Sequence, residues 1–424
     1  MKNKFAKTPL YDIHISNNAN MVVFGGYAMP LWYASAKDEH LAVLTGTGLF
    51  DTSHMAVLII KGRDAFDLIQ LCFTRDINRC AVKNNRPLPD GGAAYGAFLD
   101  RQGRVIDDAV LFRFKAHCWL VVVNAGMGGV IAEHLKNNAG SRDVKISDLT
   151  SMIGKVDIQG IDSERILKKI LAFPEPVFNG MGYFTFKGHF DPDFESRESV
   201  CLRDGTPLLL SRTGYTGEFG FEVFISSDHL VELWKLIMWA GKEYGLIPCG
   251  LAARDSLRAG ALLPLAHQDI GAWPFINNPW EFALPFNSRR TAFTKKFIGD
   301  EALLEIENPE FTYPFAGFDL RKVSVSDPAF VLDRQGILIG DVLTCVSDMG
   351  IGRRCNRIYS IVSPEKPDGF NPKGLCCGFI KVKRPLKYGE TVKLKDKRRE
   401  IKVEVVADIR PDRTARLEHA LFKD

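Results

Sequence analysis

The 424-residue sequence has nine cysteines, an odd number, scattered along the chain apart from the adjacent pair Cys376–Cys377. It contains no CxxC and no HxxxH spacing, so neither a disulfide framework nor a zinc site is supported and no metal is expected. No apolar run approaches the roughly 18 residues of a membrane span. The start, MKNKFAKTPLYD, lacks the apolar stretch of a secretory signal. A reducing, cytoplasmic setting is the expectation, with no membrane partner. There is no G-x-S-x-G elbow, no Walker lysine after Gly126-Met127-Gly128-Gly129, and no G-x-G-x-x-G between strand and helix, which removes the usual serine-hydrolase and nucleotide signatures. Repeats and low-complexity tracts are also absent.

What remains is an ordinary globular composition, 46% hydrophobic and 25% charged, with a net charge of +4. That charge does not imply nucleic-acid binding and is compatible with an acidic protein partner or an anionic substrate. The length allows two or three domains. VVFGGYAMPLWY (22–33) reads as strand and turn, and Ala65–Cys72 as a short helix. Gly92–Ala125 reads as three strands of an antiparallel meander, turning at Arg101-Gln102-Gly103 and Lys115-Ala116-His117, followed by a helix over Gly126–Asn138. Lys155–Gln159 is a strand, Ser163–Ala172 a helix and His189–Ser199 a surface loop. His229–Tyr244 is the clearest helix: Leu230, Leu233, Trp234, Ile237 and Ala240 form its apolar stripe, Ser227 or Asp228 caps it and Gly245 stops it. After Asn308-Pro309 the pattern turns to short strands, interrupted over Arg353–Gly374. The expected division is therefore residues 1–310 and a β-rich 311–424, with an insertion at 353–374.

The most informative stretch is Ser211–Phe224, SRTGYTGEFGFEVF, followed by Gly250–Leu263, GLAARDSLRAGALL. Gly214 and Gly217 permit tight or positive-φ backbone around Tyr215. Alternation then sets Phe219, Phe221 and Val223 on one face and Gly220, Glu222 and Phe224 on the other. An acid on a partly apolar face needs a partner: an internal cation, backbone amides, or a bound heterocycle whose amidine-like edge offers parallel N–H donors. Asp107-Asp108 interrupts a strand, where aspartate is disfavoured. Either one carboxylate faces inward and gains proton affinity, which suits a general base, or both are wet near a sheet edge. Asp51-Thr52-Ser53-His54-Met55 holds Ser, His and Asp too close together for a triad, so a hydrogen-bonded turn is the expected role of His54. Arg254 and Arg258 lie one helical turn apart, with separate partners or a shared anion. The lysines and arginines of Lys381–Lys402 read as solvated strand faces, or more sharply as a docking surface.

With those residues in view, the chain resembles the tetrahydrofolate-dependent aminomethyltransferase family, the T-protein of the glycine cleavage system. The resemblance rests on TPLYD (8–12), MVVFGGYAMPLWY (21–33), GLFDTSHM (48–55), GRVIDDAVLF, VVVNAG, RTGYTGEFGFEVF, GLAARDSLRAGALLPL and FIGDEAL, in family order from Thr8 to about residue 303. It implies an α+β fold of three subdomains around a central folate cavity, with mixed antiparallel sheets and a C-terminal β-barrel or jelly roll. It further implies Asp108 as the catalytic carboxylate, Glu222 on the pterin edge, Arg254 on the folate, and Met55, Asn124 and Tyr215 lining the pocket. The implied reaction moves a one-carbon unit from an aminomethyl group on the lipoyl arm of an H-protein-type carrier to tetrahydrofolate. It releases ammonia and leaves 5,10-methylenetetrahydrofolate.

The sequence departs from the family at several points. Thr52 stands where Val is usual, and Phe112 where many relatives carry Tyr, which removes a polar contact. Asn278-Pro279-Trp280-Glu281 replaces a T-P-L-E type segment, Phe286 a common Trp, and the end ADIRPDRTARLEHALFKD a P-F-V ending. These departures fall on segments expected to shape the donor side, so a folate-dependent demethylase acting on a small sulfonium, amine or methyl-ether donor is an alternative. A non-catalytic folate-binding accessory protein is a further one, disfavoured because KKFIGDEAL (295–303) lacks the cysteine of the K-G-C-Y-x-G-Q-E motif.

Overall fold

A computed structural model describes residues 5–80, 86–190 and 199–418. Most of the loop expected over His189–Ser199 lies outside the described residues. The fold is α+β, as the sequence implied, and it is built from two packed sheets and a closed barrel.

The first large sheet has six strands in the order Phe186–Gly188, Leu209–Ser211, Gly220–Ser226, Ile153–Gly160, Thr47–Asp51 and Ile247–Cys249. The second has five: Gly92–Leu99, Val105–Lys115, Cys118–Val123, Ala56–Lys61 and Lys145–Asp148. Both pack face to face through apolar side chains, Val57, Ile59, Leu120 and Val122 meeting Ile153, Leu209 and Phe224. On its other face the six-stranded sheet buries Phe219, Phe221, Val223 and Ile225 against helices Ser163–Ile170 and Leu230–Gly241. The alternation around Glu222 is thus as read, although Gly220–Ile225 is buried on both faces because both sides of the sheet are covered.

The meander and the helix Ala65–Cys72 form as expected. The expected helix start at Ser227 or Asp228 is instead a 3-10 turn, Ser227–His229, and no side chain caps the helix Leu230–Gly241. The 3-10 turn Lys242–Tyr244 extends it to Gly245, whose φ of +66 ends the run. Phe112 lies inside its strand, edge-on to Phe186 and Phe224 at 5.4 and 5.7 Å. It is core, so no polar contact of the cavity is lost there.

Phe311–Gly317, Leu375–Val382, Leu338–Asp348, Phe330–Leu332, Thr391–Lys395 and Glu400–Val405 close into a barrel. The interruption Arg353–Gly374 is partly ordered: Ile351–Arg354 and Arg357–Ser360 pair as a hairpin. Its turn is Cys355-Asn356, both left-handed at φ 48 and 62, as a two-residue hairpin turn requires. In the basic run Lys381–Lys402 four of the ten cations form ion pairs: Lys381 with Glu310, Arg384 with Glu390, Lys393 with Glu400 and Lys397 with Asp327.

Barrel, helix and glycine turn are tied together by Arg410, which is fully buried. It donates to Asp348 Oδ2 at 2.7 Å and Glu218 Oε1 at 3.2 Å, and to the carbonyls of Leu257 and Thr216. Asp348 also accepts His40 Nε2 at 2.9 Å, and His40 Nδ1 meets Ser256 Oγ at 2.8 Å. Burial opposes ionisation of Asp348, but His40 and Arg410 outweigh it and hold the carboxyl far below the usual range. Removing one member of a buried charged set strands the others. Arg410→Met is therefore expected to cost about 3–5 kcal/mol, read as a lower denaturation midpoint; an unchanged midpoint would show that the network does not hold the units together.

Candidate active site

A cavity of about 2920 Å³ opens between the two sheets, the helix Leu251–Gly260 and the barrel. Its volume exceeds the roughly 300–1,000 Å³ of a single small-molecule pocket, so it has room for two reactants. Asp108 and Glu222 both line it, as do Met55, Asn124, Tyr215 and Arg254. All six residues singled out from the sequence thus meet in one hollow.

Asp107 and Asp108 sit in the middle of a sheet, between neighbouring strands on both sides, so the wet-edge reading fails. Asp107 is fully buried and Asp108 faces the cavity. The register shifts between Phe98 and Leu99, leaving Ile106 as a bulge beside Asp107 in the same strand, and both carboxylates reach the same partner: Asn124 Nδ2 donates at 2.7 Å to Oδ1 of each. The Asn124 amide N–H donates to Asp107 Oδ2 at 2.9 Å, and the Tyr95 hydroxyl to Asp108 Oδ2 at 2.9 Å. Burial, then repulsion from Asp108, pushes the Asp107 carboxyl up to about 8. Burial also raises Asp108, against the bonds from Tyr95 and Asn124. Two acids that resist ionising together hold a proton into the neutral range. His267 Nε2, half exposed at the cavity wall, lies 3.8 Å from Asp107 Oδ1.

Glu222 is answered from inside the protein. Lys155 Nζ, almost fully buried, donates to Glu222 Oε1 at 2.5 Å, Asp157 Oδ1 at 2.5 Å and Thr52 Oγ1 at 3.1 Å. All three N–H bonds of the ammonium are used. Glu222 Oε2 accepts from Thr213 Oγ1. Asp157 Oδ2 takes Arg254 Nη1 at 2.7 Å. Burial works against the Asp157 charge, yet Lys155 and Arg254 prevail and hold its carboxyl low. Glu222, Lys155, Asp157 and Arg254 thus alternate in sign. Thr52 joins this cluster, with its hydroxyl 2.8 Å from Asp157 Oδ1. Lys155 and Asp157 were not singled out from the sequence, although Lys-Val-Asp-Ile-Gln alternates polar and apolar residues along one strand. Lys155, Asp157 and Gln159 therefore share a face.

Tyr215 gives its hydroxyl to the Pro264 carbonyl and its ring to the Arg254 guanidinium, 4.8 Å away. The turn around it needs its glycines: Gly217 has φ +79, and a Cβ at Gly214 would lie 2.2 Å from Gln159 Oε1. Arg258 does not share an anion with Arg254; it pairs with Asp255 and Asp269. Of the segments that depart from the family pattern, Pro279, Trp280 and Phe282 and residues Asp412, Arg413 and Ala415–Glu418 line the cavity, whereas 353–374 does not. Phe286 packs against Phe293 instead. His54 lies in a hydrogen-bonded turn, as expected, closed by the Met55 amide donating to the Thr52 carbonyl at 3.1 Å; its Nδ1 is buried without a partner among the described residues.

Residues 10–286 match the GCVT N-terminal domain family. The chain belongs to that family. It is 35% identical over 339 residues to an aminomethyltransferase of Caldanaerobacter subterraneus subsp. tengcongensis, covering 80% of this chain and 83% of that one. It is 34% identical over 347 residues to the aminomethyltransferase of Symbiobacterium thermophilum, covering 81% and 86%. The fold is shared with glycine cleavage system aminomethyltransferase T from Bartonella henselae, with TM-score 0.74 and 24% identity over 95% of this chain and 97% of that one. As a GCVT member the chain is a one-carbon transferase of the aminomethyltransferase kind, and the family uses tetrahydrofolate.

The acid pair gives a pH signature. Asp107 binds its proton more tightly when folded than unfolded, so its contribution to stability is complete below about pH 4 and is lost as pH rises through about 8. The stability of Asp107→Asn relative to the parent should therefore increase steadily across that window in denaturant titrations. A difference independent of pH would mean that Asp107 is ionised throughout.

Proposed function

We propose that the protein transfers the one-carbon unit of an aminomethyl group, carried on the lipoyl arm of an H-protein-type partner, to tetrahydrofolate with release of ammonia. The observation that carries this reading is the meeting of Asp108 and Glu222 in one cavity, each on a differently prepared wall. A pterin is flat and has an N–H-rich edge, and the walls offer a carboxylate with open lone pairs (Glu222), the Met55 thioether and the rings of Tyr95 and Tyr215. The donor set fits.

When bound, tetrahydrofolate supplies the nucleophilic nitrogen that takes up the carbon. Around it, Glu222 orients the pterin: Lys155 and Thr213 fix the carboxylate, while each oxygen keeps a second lone pair for the ligand. Arg254, held between Asp157 and Tyr215, faces the folate. Asp108 receives the proton shed at the attacking nitrogen and, once anionic, stabilises positive charge developing on the carbon. Its proton affinity, raised by burial, suits that task, and Tyr95 and Asn124 aim it. We take residues 1–310 as the folate-binding region and 311–424 as the barrel unit that closes its far side. Nine free cysteines, seven of them buried, support the cytoplasmic setting. The distinctive Pro279-Trp280 and the wall from residues 412–418 favour a small methyl donor as the second reading.

Incubation with tetrahydrofolate and aminomethylated lipoyl carrier should release ammonia. No ammonia, with 5-methyltetrahydrofolate formed from a small sulfonium, amine or ether, would replace this reading by demethylation. Asp108→Asn should abolish turnover while leaving calorimetric folate binding near the parent's value; undiminished turnover would remove Asp108 from its role. Glu222→Gln should weaken folate binding by about 1–3 kcal/mol, the cost of a lost charge-assisted contact, and an unchanged titration would contradict the assignment.

A further inference from the structure

His267 faces the acid pair from a different part of the chain. Its Nε2 lies 3.8 Å from Asp107 Oδ1, and among the described residues no other Lys, Arg or His nitrogen comes within 4.0 Å of that carboxyl. A proton on the ring acts on Asp108 as well. The imidazole lines the cavity, is half exposed, and makes no hydrogen bond to the described residues. Asp107, by contrast, is fully buried. The ring therefore stands between a carboxyl that water does not reach and the open hollow. The backbone that presents it is strained: His267 has φ +64, in the left-handed region that suits glycine.

A tight turn keeps it there. The Gln268 and Asp269 amides donate to the Leu265 carbonyl at 3.2 and 2.8 Å, and Asp269 Oδ2 accepts the Leu265 amide at 3.0 Å. Asp269 is itself buried, bonded to Thr344 in the barrel and paired with Arg258. Strain maintained by so many bonds, with the side chain on a cavity wall, points to a use for that side chain. The acid pair supplies one. In the reaction proposed above, the carbon replaces two N–H hydrogens of tetrahydrofolate, while the lipoyl sulfur and the departing nitrogen each gain a proton. Asp108 takes a proton as the C–N bond forms, the electron pair of the broken N–H bond staying on nitrogen. Repulsion from anionic Asp108 is, after burial, what holds the proton on Asp107, so a proton arriving on Asp108 loosens the other. The nearest base is the Nε2 lone pair of a neutral His267. The gap is about half an ångström longer than a hydrogen bond, and no bond to the ring resists closing it. As Nε2 takes the proton, Nδ1–H gives one to water, leaving the pair with a single proton as before the step. Water in turn supplies the protons that the sulfur and the nitrogen take up.

We propose that His267 is the proton relay of the acid pair, passing protons between Asp107 and solvent and acting through Asp107 rather than on the folate. This rests on the one-carbon-transfer reading of the cavity and adds the route by which its acid pair is reset.

The test compares the parent with His267→Gly and His267→Gln. It measures ammonia release from aminomethylated lipoyl carrier with tetrahydrofolate, folate binding by calorimetry, and thermal unfolding of the free proteins. Glycine relieves the left-handed backbone and leaves room for a small base, so His267→Gly should fold and melt no lower than the parent. Its kcat should fall at least about tenfold, while its folate Kd stays within about threefold of the parent's. Added imidazole should raise that kcat with concentration and leave the parent's unchanged. His267→Gln, polar but unable to relay, should be as slow as the glycine variant. Undiminished kcat in either variant, a loss that imidazole does not repair, or a loss confined to folate affinity or to the KM of the carrier overturns the His267 assignment alone. A glycine variant that melts below the parent would assign the ring to the fold instead. If the parent itself releases no ammonia, the aminomethyl reading fails and this inference with it.

Discussion

The cavity depends on one buried ammonium. Lys155 brings a positive charge into a place where almost no water reaches it, and an isolated charge there would be prohibitively expensive. It is sustained because Glu222, Asp157 and Thr52 take its three N–H bonds, and because Arg254 cancels the second negative charge. Each member justifies the next: Lys155 holds the Glu222 carboxylate in place beside Phe224, and Arg254 keeps its direction because of Asp157 and Tyr215. The result is a carboxylate fixed in place before any ligand arrives, which is what preorganised recognition requires. The Asp107–Asp108 wall uses the opposite arrangement, two acids and no buried cation, so proton affinity rises there. Two walls of one hollow thus differ in how their negative charges are answered.

A second set of buried charges holds this hollow shut. Arg410, Asp348, Glu218 and His40 come from the segment after the barrel, a barrel strand, the glycine turn and an N-terminal helix. Thr414 adds bonds to Glu218 Oε2 and the Phe219 amide, at 2.7 and 2.8 Å. The turn that carries Tyr215 is therefore buttressed by residues about two hundred positions later.

Much of this was legible in the sequence. Period-two alternation put Glu222 on the correct face, and the glycines around Tyr215 announced the tight turn. The acidic pair inside VIDDAVLF stood out because strands rarely tolerate it. What escaped were effects of distant pairing. Lys155 and Asp157 gain their meaning only when their strand is set beside Glu222, and Thr52 stood only as a departure from the usual Val until its hydroxyl met Asp157. Phe112 seemed to cost a polar contact, but its strand points it into the packing between sheets. His54 does sit in the turn read from the sequence, but the ties of the neighbouring Asp51 carboxylate to His14 and Thr8 could not be seen there. The helix Leu230–Gly241 was plain from its stripe, whereas its start was not: Ser227 and Asp228 have capping chemistry but fold into a 3-10 turn.

The wall of the cavity is drawn from residues between Val22 and Glu418. A growing polypeptide can therefore lay down both sheets, and even the helix bearing Arg254, without yet enclosing the reaction space. Closure waits until the segment around Arg410–Leu417 has left the ribosome and bonded to Glu218 and Arg212. Competence thus arrives late in synthesis, and premature termination upstream of that point would release a protein with most of its secondary structure but an open reaction chamber.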